Sequence, residues 1–222
     1  MKGVALVFVL VTAANAVAFR PEFAASWQFW LSLLLPYALG AAAAVRALQR
    51  QDRLREVLRP RWGDLSLGAA SAAALLLASW IGRSALSPSG SERGAWLYRV
   101  YLHVGSSDSL QRSVLLTAAL MLIPIFEELV WRSLVLDTLT KRLGSRRAPP
   151  VAALLYAASL LPTIHLLADP QAGPNPLLFV AAIGCGLVWS YSASLLGRLP
   201  PVMISHMAFT YFSAVQFRFP GA

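Results

Sequence analysis

The chain has 222 residues, of which 57% are hydrophobic and only 13% charged, and its mean hydropathy is +0.60. This composition fits a polytopic α-helical membrane protein better than a soluble domain. The formal charge of +9 comes from basic residues that cluster in short segments between apolar stretches, a pattern typical of membrane topology rather than of nucleic-acid binding. The single cysteine, Cys185, excludes an intramolecular disulfide and a cysteine-rich metal site, and we expect it to be a buried structural thiol.

The first two apolar stretches predict two spans. Met1 to Phe19 begins with a lysine and contains Ala14-Asn15-Ala16, which is similar to a signal-peptide cleavage site. We favour retention as a first span, while cleavage would leave one span fewer. Trp27 to Val45 is the second span, with tryptophans as interfacial anchors. The six arginines between Arg46 and Arg61 predict a cytoplasmic loop that touches anionic lipid headgroups.

The third span and the segment after it differ in character. Asp64 to Gly82 is rich in Ala, Gly and Ser, which allow helices to pack closely. Ile81 to Gln111 is long and mixed, and its residues from Trp96 to Leu102 predict an amphipathic helix in the membrane interface. His103 has no neighbours at metal-ligand or catalytic spacing, so we expect it to be solvated or interfacial.

Four further spans are predicted: Ser113 to Trp131, Val151 to Leu167, Leu177 to Leu196 and Val202 to Phe217. The expected fold is therefore an all-α polytopic transmembrane bundle of about seven spans, or six if the first is cleaved. It would form one compact membrane domain, with motif-free helices in residues 1–112 and a catalytic bundle in residues 113–222. Alternation from a cytoplasmic N-terminus places twelve basic residues inside and six outside. This predicts a multi-pass protein of the cell membrane, which in a bacterium is the inner membrane.

Two charged residues, Glu127 and Glu128, interrupt the fourth span, and a third, Arg132, directly follows it in a helix that we expect to continue towards Lys141. A charge near the centre of a spanning helix costs ~2.5–3.5 kcal/mol on insertion scales and normally marks a functional site. Glu128 and Arg132 are spaced i,i+4 and can neutralise each other. Glu127 points about 100° away and has no such partner, which makes it a candidate general base. Pro124, one turn earlier, should kink or loosen this helix. Alternatively, the three charges only lock neighbouring helices together.

Two histidines interrupt later spans, His165 and His206. An imidazole can orient a water or donate to a developing oxyanion, and a desolvated carboxylate can take the proton of that water. Together with Glu127, these groups suffice to hydrolyse an amide in a protected cavity. No serine has a nucleophile-elbow setting and Cys185 has no evident base, so we favour hydrolysis by an activated water over a covalent mechanism.

These segments resemble the motifs of the CAAX-protease and bacteriocin-processing (CPBP, or Abi) family of intramembrane glutamic endopeptidases. Glu127 to Arg132 is similar to its EExxxR motif, Leu161 to His165 stands where the family has FxxxH, and His206 to Thr210 stands where it has HxxxN. Lys141-Arg142-Leu143-Gly144 and Gly197-Arg198-Leu199-Pro200-Pro201 also fit. The resemblance covers roughly residues 113–217.

The resemblance implies an endopeptidase that cleaves a membrane-tethered or lipid-modified protein, as in CAAX-type or C-terminal tail processing, without a metal or other cofactor. Glu127 would activate the water together with His165. His206 and Thr210 would stabilise the oxyanion, and Glu128 and Arg132 would shape the site. The implied partners are a membrane protein or lipidated peptide and the bilayer. The chain departs from the family at Leu161, which replaces a phenylalanine, and at Thr210, which replaces an asparagine.

Two other functions stay open at this point. Glu127, His165 and His206 could bind a catalytic zinc, since their types are acceptable ligands, although the HExxH spacing is missing. The chain could also be a catalytically degenerate membrane scaffold or partner-binding protein, for which Thr210 is the chief argument.

Overall fold

The computed structural model describes residues 1–218. This part of the chain is 79% helical and contains no strand, which confirms the predicted all-α membrane bundle. The helices are α1 (Lys2–Ala18), α2 (Trp27–Arg50), α3 (Leu54–Leu58), α4 (Asp64–Leu86), α5 (Gly94–Val104), α6 (Ser107–Arg112), α7 (Val114–Glu128), α8 (Asp137–Leu143), α9 (Ala148–Ala158), α10 (Leu161–Leu166), α11 (Leu177–Leu196) and α12 (Pro200–Val215). A π-helical segment, Leu129–Leu136, joins α7 to α8.

Five helical segments within residues 1–218 are long and apolar enough to cross a membrane, so the protein is a multi-pass membrane protein. They are Trp27–Arg50, Asp64–Leu86, Val114–Leu143, Ala148–Leu166 and Leu177–Leu196. They correspond to predicted spans two to six. Predicted spans one and seven are the helices α1 and α12, which have 17 and 16 residues and are shorter than the ~20 residues that a span usually needs.

The first helix is packed into the bundle. Asn15 lies inside the sequence that is similar to a cleavage site, yet it is buried, and its amide donates a hydrogen bond to the Ser159 carbonyl at 3.0 Å. Because a buried amide is costly without a partner, this contact holds α1 against the end of α9.

The small residues of α4 allow α12 to approach closely. A Cβ on Gly68 would lie 2.7 Å from the Ile204 side chain and 2.8 Å from the Pro201 carbonyl oxygen, which leaves no space for a side chain. The Ser205 hydroxyl donates to the Ser71 hydroxyl across the same contact at 3.0 Å. In a membrane, where burial from water contributes little, helices associate through close packing of small residues and through polar contacts of this kind.

The basic loops meet at one end of the bundle. Arg53 donates to Asp137 at 2.9 Å, Arg198 pairs with Asp64, and the Leu199 amide donates to the Val57 carbonyl at 2.9 Å. The Asp137 interaction raises the pKa of Arg53 above its ordinary value. Residues 46–61, 141–147 and 198 therefore share one end, as the topology predicted from the basic loops requires.

The opposite end is covered by α5 and α6. Trp96 and Tyr101 of α5 are buried while Tyr98 and Leu102 are exposed, so the helix has the amphipathic character that its sequence predicts. Of the two alternatives expected for His103, the solvated one is wrong, because its side chain is buried, and the interfacial one stays a prediction. Its ring nitrogens lie 3.1 and 3.3 Å from the carbonyl oxygens of Arg99 and Arg20. The loop that carries Arg20 covers this face of α5, a contact that is distant in sequence.

Candidate active site

Glu128 and Arg132 form a buried ion pair at the junction of α7 and the π-helical segment. Arg132 Nε lies 3.2 Å from Glu128 Oε2, and the two side chains are 1% and 0% exposed. The guanidinium also lies over two aromatic rings, 5.2 Å from the centroid of Tyr156 and 5.8 Å from that of Trp189. These cation–π contacts supply attraction where the guanidinium has no well-aligned hydrogen bond to any of residues 1–218.

His206 lies between the two glutamates. Its Nδ1 is 2.7 Å from Glu128 Oε1, and its Nε2 is 3.4 Å from Glu127 Oε2. The ring stacks on Trp189 with centroids 3.6 Å apart, which fixes its plane. A short contact to a carboxylate orients the imidazole with Nδ1–H towards Glu128, and Nε2 then faces Glu127.

One bound proton would make this cluster neutral. Glu127, Glu128 and Arg132 together carry one negative charge when all are ionised, and an uncompensated charge is costly in a buried site. The cluster is neutral when His206 or Glu127 holds a proton. With the proton on His206, Nε2–H is a donor and Glu127 is a free base.

Glu127 faces a cavity of about 470 Å³. Its side chain is 15% exposed, and the Tyr156 hydroxyl donates to its Oε2 at 3.2 Å. The cavity reaches from Glu127 and His206 towards the end of the bundle covered by α5, and its wall is mainly apolar. The polar residues on that wall are Asn15, Ser79, Arg83, Tyr101, Glu127, Tyr156, His206, Thr210 and Ser213.

Thr210 lines the same cavity one turn after His206 and is half-buried. Residues four apart on a helix lie on nearly the same face, so this placement is the one that the spacing predicts. The wall also includes Cys185, whose thiol is buried as expected.

His165, in contrast, is not brought to the site. It is exposed and does not line the cavity that Glu127 and His206 share. The short helix α10 turns its buried face, Thr163, towards the core, and a residue two positions later points about 200° away. Within residues 1–218, the three side chains proposed as zinc ligands therefore do not converge.

The segment before α10 supplies the cavity wall in its place. Tyr156 and Leu160 line the cavity. They are four residues apart, like Leu161 and His165 of the FxxxH-like motif, and lie five positions earlier in the chain. At the second of these positions the chain has a leucine, which brings no proton-transfer group. Tyr156 and Trp189 are site residues that the sequence did not indicate, because aromatic residues in apolar spans are usually core.

Comparison with known families agrees with the motifs. Residues 109–212 match the family model described as Type II CAAX prenyl endopeptidase Rce1-like. This confirms the resemblance to the CPBP family and, at the level of the family, supports a CAAX-type protease acting on a membrane protein in the bilayer. No curated protein and no solved structure matches the chain.

Proposed function

Proceeding from this family match, we propose that the protein is an intramembrane glutamic endopeptidase of the cell membrane. Its substrate would be a peptide bond near the end of a membrane-tethered or lipid-modified protein. The observation that carries the proposal is the contact of Glu127 with His206, 3.4 Å apart at the wall of a cavity within membrane-spanning helices. About 470 Å³ is within the ~300–1,000 Å³ typical of ligand pockets.

The charges support a specific division of roles. Glu127, ionised, takes a proton from a water, and the water oxygen attacks the carbonyl carbon of the substrate. His206, protonated and held through Nδ1 by Glu128, donates from Nε2 to the oxyanion of the tetrahedral intermediate, and the Thr210 hydroxyl is the second donor. Glu127 then passes its proton to the leaving amine as the carbon–nitrogen bond breaks. Arg132 pairs with Glu128, the carboxylate that orients His206.

The two histidines provide the test of this assignment. We expect His206→Ala to lower kcat by about a hundred- to a thousandfold with little change in KM, because it removes an oxyanion donor. His165→Ala is the matched control and should retain near wild-type activity, since His165 lies outside the cavity. Substrates would first be found by comparing membrane-protein termini, by mass spectrometry, between cells with active protein and with Glu127→Gln. Equal losses in the two histidine variants would contradict the assignment.

Thr210 tests the second oxyanion donor. Thr210→Val keeps the shape of the side chain and removes its hydroxyl, so kcat should fall by about a hundred- to a thousandfold. Thr210→Asn should keep or raise activity, because it restores the amide that the family has at this position. The rates of all three proteins would be compared on one substrate. A fully active Thr210→Val variant would show that His206 or backbone groups stabilise the oxyanion without Thr210.

A catalytically degenerate scaffold is the second candidate function, and two observations favour it. The cavity wall has Leu160, and not a histidine, four residues after the aromatic Tyr156, and Thr210 replaces the asparagine of the family. The cavity would then hold a partner segment without cleaving it. Identical membrane-protein termini in wild-type and Glu127→Gln cells would support the scaffold and contradict the protease.

A further inference from the structure

An arginine lies on the cavity wall at the end remote from Glu127. Arg83, near the end of α4, is the one Lys or Arg side chain on the wall formed by residues 1–218. Its Nη1 donates to the Tyr101 hydroxyl and to the Phe217 carbonyl oxygen, both at 2.8 Å, and its Nε donates to the Ser79 hydroxyl at 3.1 Å. Tyr101 in turn donates to the Ser213 carbonyl oxygen at 3.4 Å. These bonds hold the guanidinium in one place and leave Nη2 for another acceptor.

A second arginine adds to the positive charge at this end. The Arg218 guanidinium lies 4.7 Å from the centroid of the Tyr101 ring, so one tyrosine contacts both arginines. Arg218 Nη2 is buried without a hydrogen-bond partner among residues 1–218, and burial lowers the pKa of this guanidinium from its ordinary value. Both features indicate a partly desolvated cation without an acidic partner among residues 1–218.

No acidic side chain of residues 1–218 lies within ion-pair distance of these two guanidinium groups. All ten Asp and Glu residues lie within residues 1–218, and those that form ion pairs do so with other basic residues. Arg99 and Arg112, in the same part of the chain, are paired with Asp169 and Asp108. Two guanidinium groups that have no acidic partner among residues 1–218 therefore lie around one tyrosine at a mainly apolar cavity, an arrangement that suits an anion.

We propose that Arg83, held by Tyr101 and assisted by the charge of Arg218, binds the C-terminal carboxylate of the peptide substrate. This inference rests on the proposed function and adds the residue that would recognise the end of the substrate. A carboxylate suits the planar guanidinium better than any other group of an apolar peptide tail. A lipid phosphate is the less favoured ligand, because Arg83 lines the same cavity as Glu127 and His206.

The test measures binding in a protein that cannot cleave. Glu127→Gln protein in phosphatidylcholine nanodiscs would be titrated against a fluorescein-labelled hexapeptide of Ala, Val and Leu with a free C-terminal carboxylate, and against the same peptide as a C-terminal amide. We expect anisotropy to show the acid binding about tenfold more tightly than the amide. Arg83→Gln should bring this ratio close to one. Arg112→Gln is the matched control and should keep the ratio, since Arg112 is 81% exposed and paired with Asp108.

If Arg83→Gln fails to fold, Arg83→Lys serves as a second variant, because it keeps the positive charge. It should retain a preference for the acid that is smaller than tenfold, and circular dichroism would establish that each variant is folded. Equal binding of acid and amide, no binding of either, or a ratio that survives Arg83→Gln would overturn the proposal. The proposal would also be overturned if adding phosphatidylglycerol to the nanodiscs removed the preference for the acid in protein with Arg83 but changed nothing in Arg83→Gln. That result would assign Arg83 to a lipid headgroup. If the acid-to-amide ratio depends on Arg83 but the membrane-protein termini in cells are unchanged, the carboxylate site is retained and the protease function is rejected.

Discussion

Glu127→Gln is expected to abolish proteolysis while the protein remains folded and abundant. Glutamine keeps the shape of the side chain and can still accept the hydrogen bond of Tyr156, but it cannot take a proton from water. General-base catalysis typically contributes about 10²–10⁴ in rate, so kcat should fall at least a hundredfold. The measurement is the rate of product formation on a substrate identified from membrane-protein termini, at matched protein amounts.

Glu92→Gln serves as the control for this prediction, since Glu92 is exposed and does not line the cavity. It should have wild-type activity. Full activity in Glu127→Gln would show that the base is another group and would reject the proposed mechanism.

Arg132→Ala is expected to destabilise the protein strongly, whatever its effect on catalysis. Removing one partner of a buried ion pair leaves the other charge uncompensated, which typically costs ~3–5 kcal/mol. The substitution also removes the cation–π contacts with Tyr156 and Trp189. A loss of this size is a large fraction of the ~5–15 kcal/mol by which proteins are usually stable, so the abundance in membranes should fall. Glu128→Gln should act in the same direction, because it leaves Arg132 without its anion.

The exposed pair of Asp108 and Arg112 is a matched control for Arg132→Ala, since it has the same acid-first i,i+4 spacing. Arg112→Ala should have little effect, because water and salt screen an exposed pair. The measurement is the unfolding midpoint in detergent together with the abundance in membranes. The double variant Glu128→Leu with Arg132→Met should recover stability but not activity, because it leaves no buried charge without its partner. An Arg132→Ala variant as stable as wild type would mean that water reaches the pair.

Local geometry explains what could be predicted from the sequence. A chain that crosses a bilayer must satisfy its backbone hydrogen bonds internally, so long apolar stretches predict helices directly. Glu128 and Arg132 are one helical turn apart, and their contact follows from that spacing alone. The gathering of the basic loops at one end follows from the alternation of spans, and the close approach of α4 follows from its small residues.

The site itself depended on contacts between helices that are distant in sequence. The i,i+4 rule leaves Glu127 without a partner, and only the packing of α12 against α7 places His206 between Glu127 and Glu128. The same packing brings Tyr156 and Trp189 to the charged cluster, although nothing in their local sequence separates them from core residues.

The sequence by itself determined the membrane-spanning helices, the charged residues from Glu127 to Arg132 and the resemblance that the family match of residues 109–212 supports. Only the tertiary structure decided which histidine meets Glu127. Both histidines interrupt apolar helices, so their sequence settings are alike, but the direction of a side chain depends on how its helix is rotated against its neighbours. Thr163 occupies the inward face of α10 and turns His165 outward, whereas stacking on Trp189 turns His206 inward.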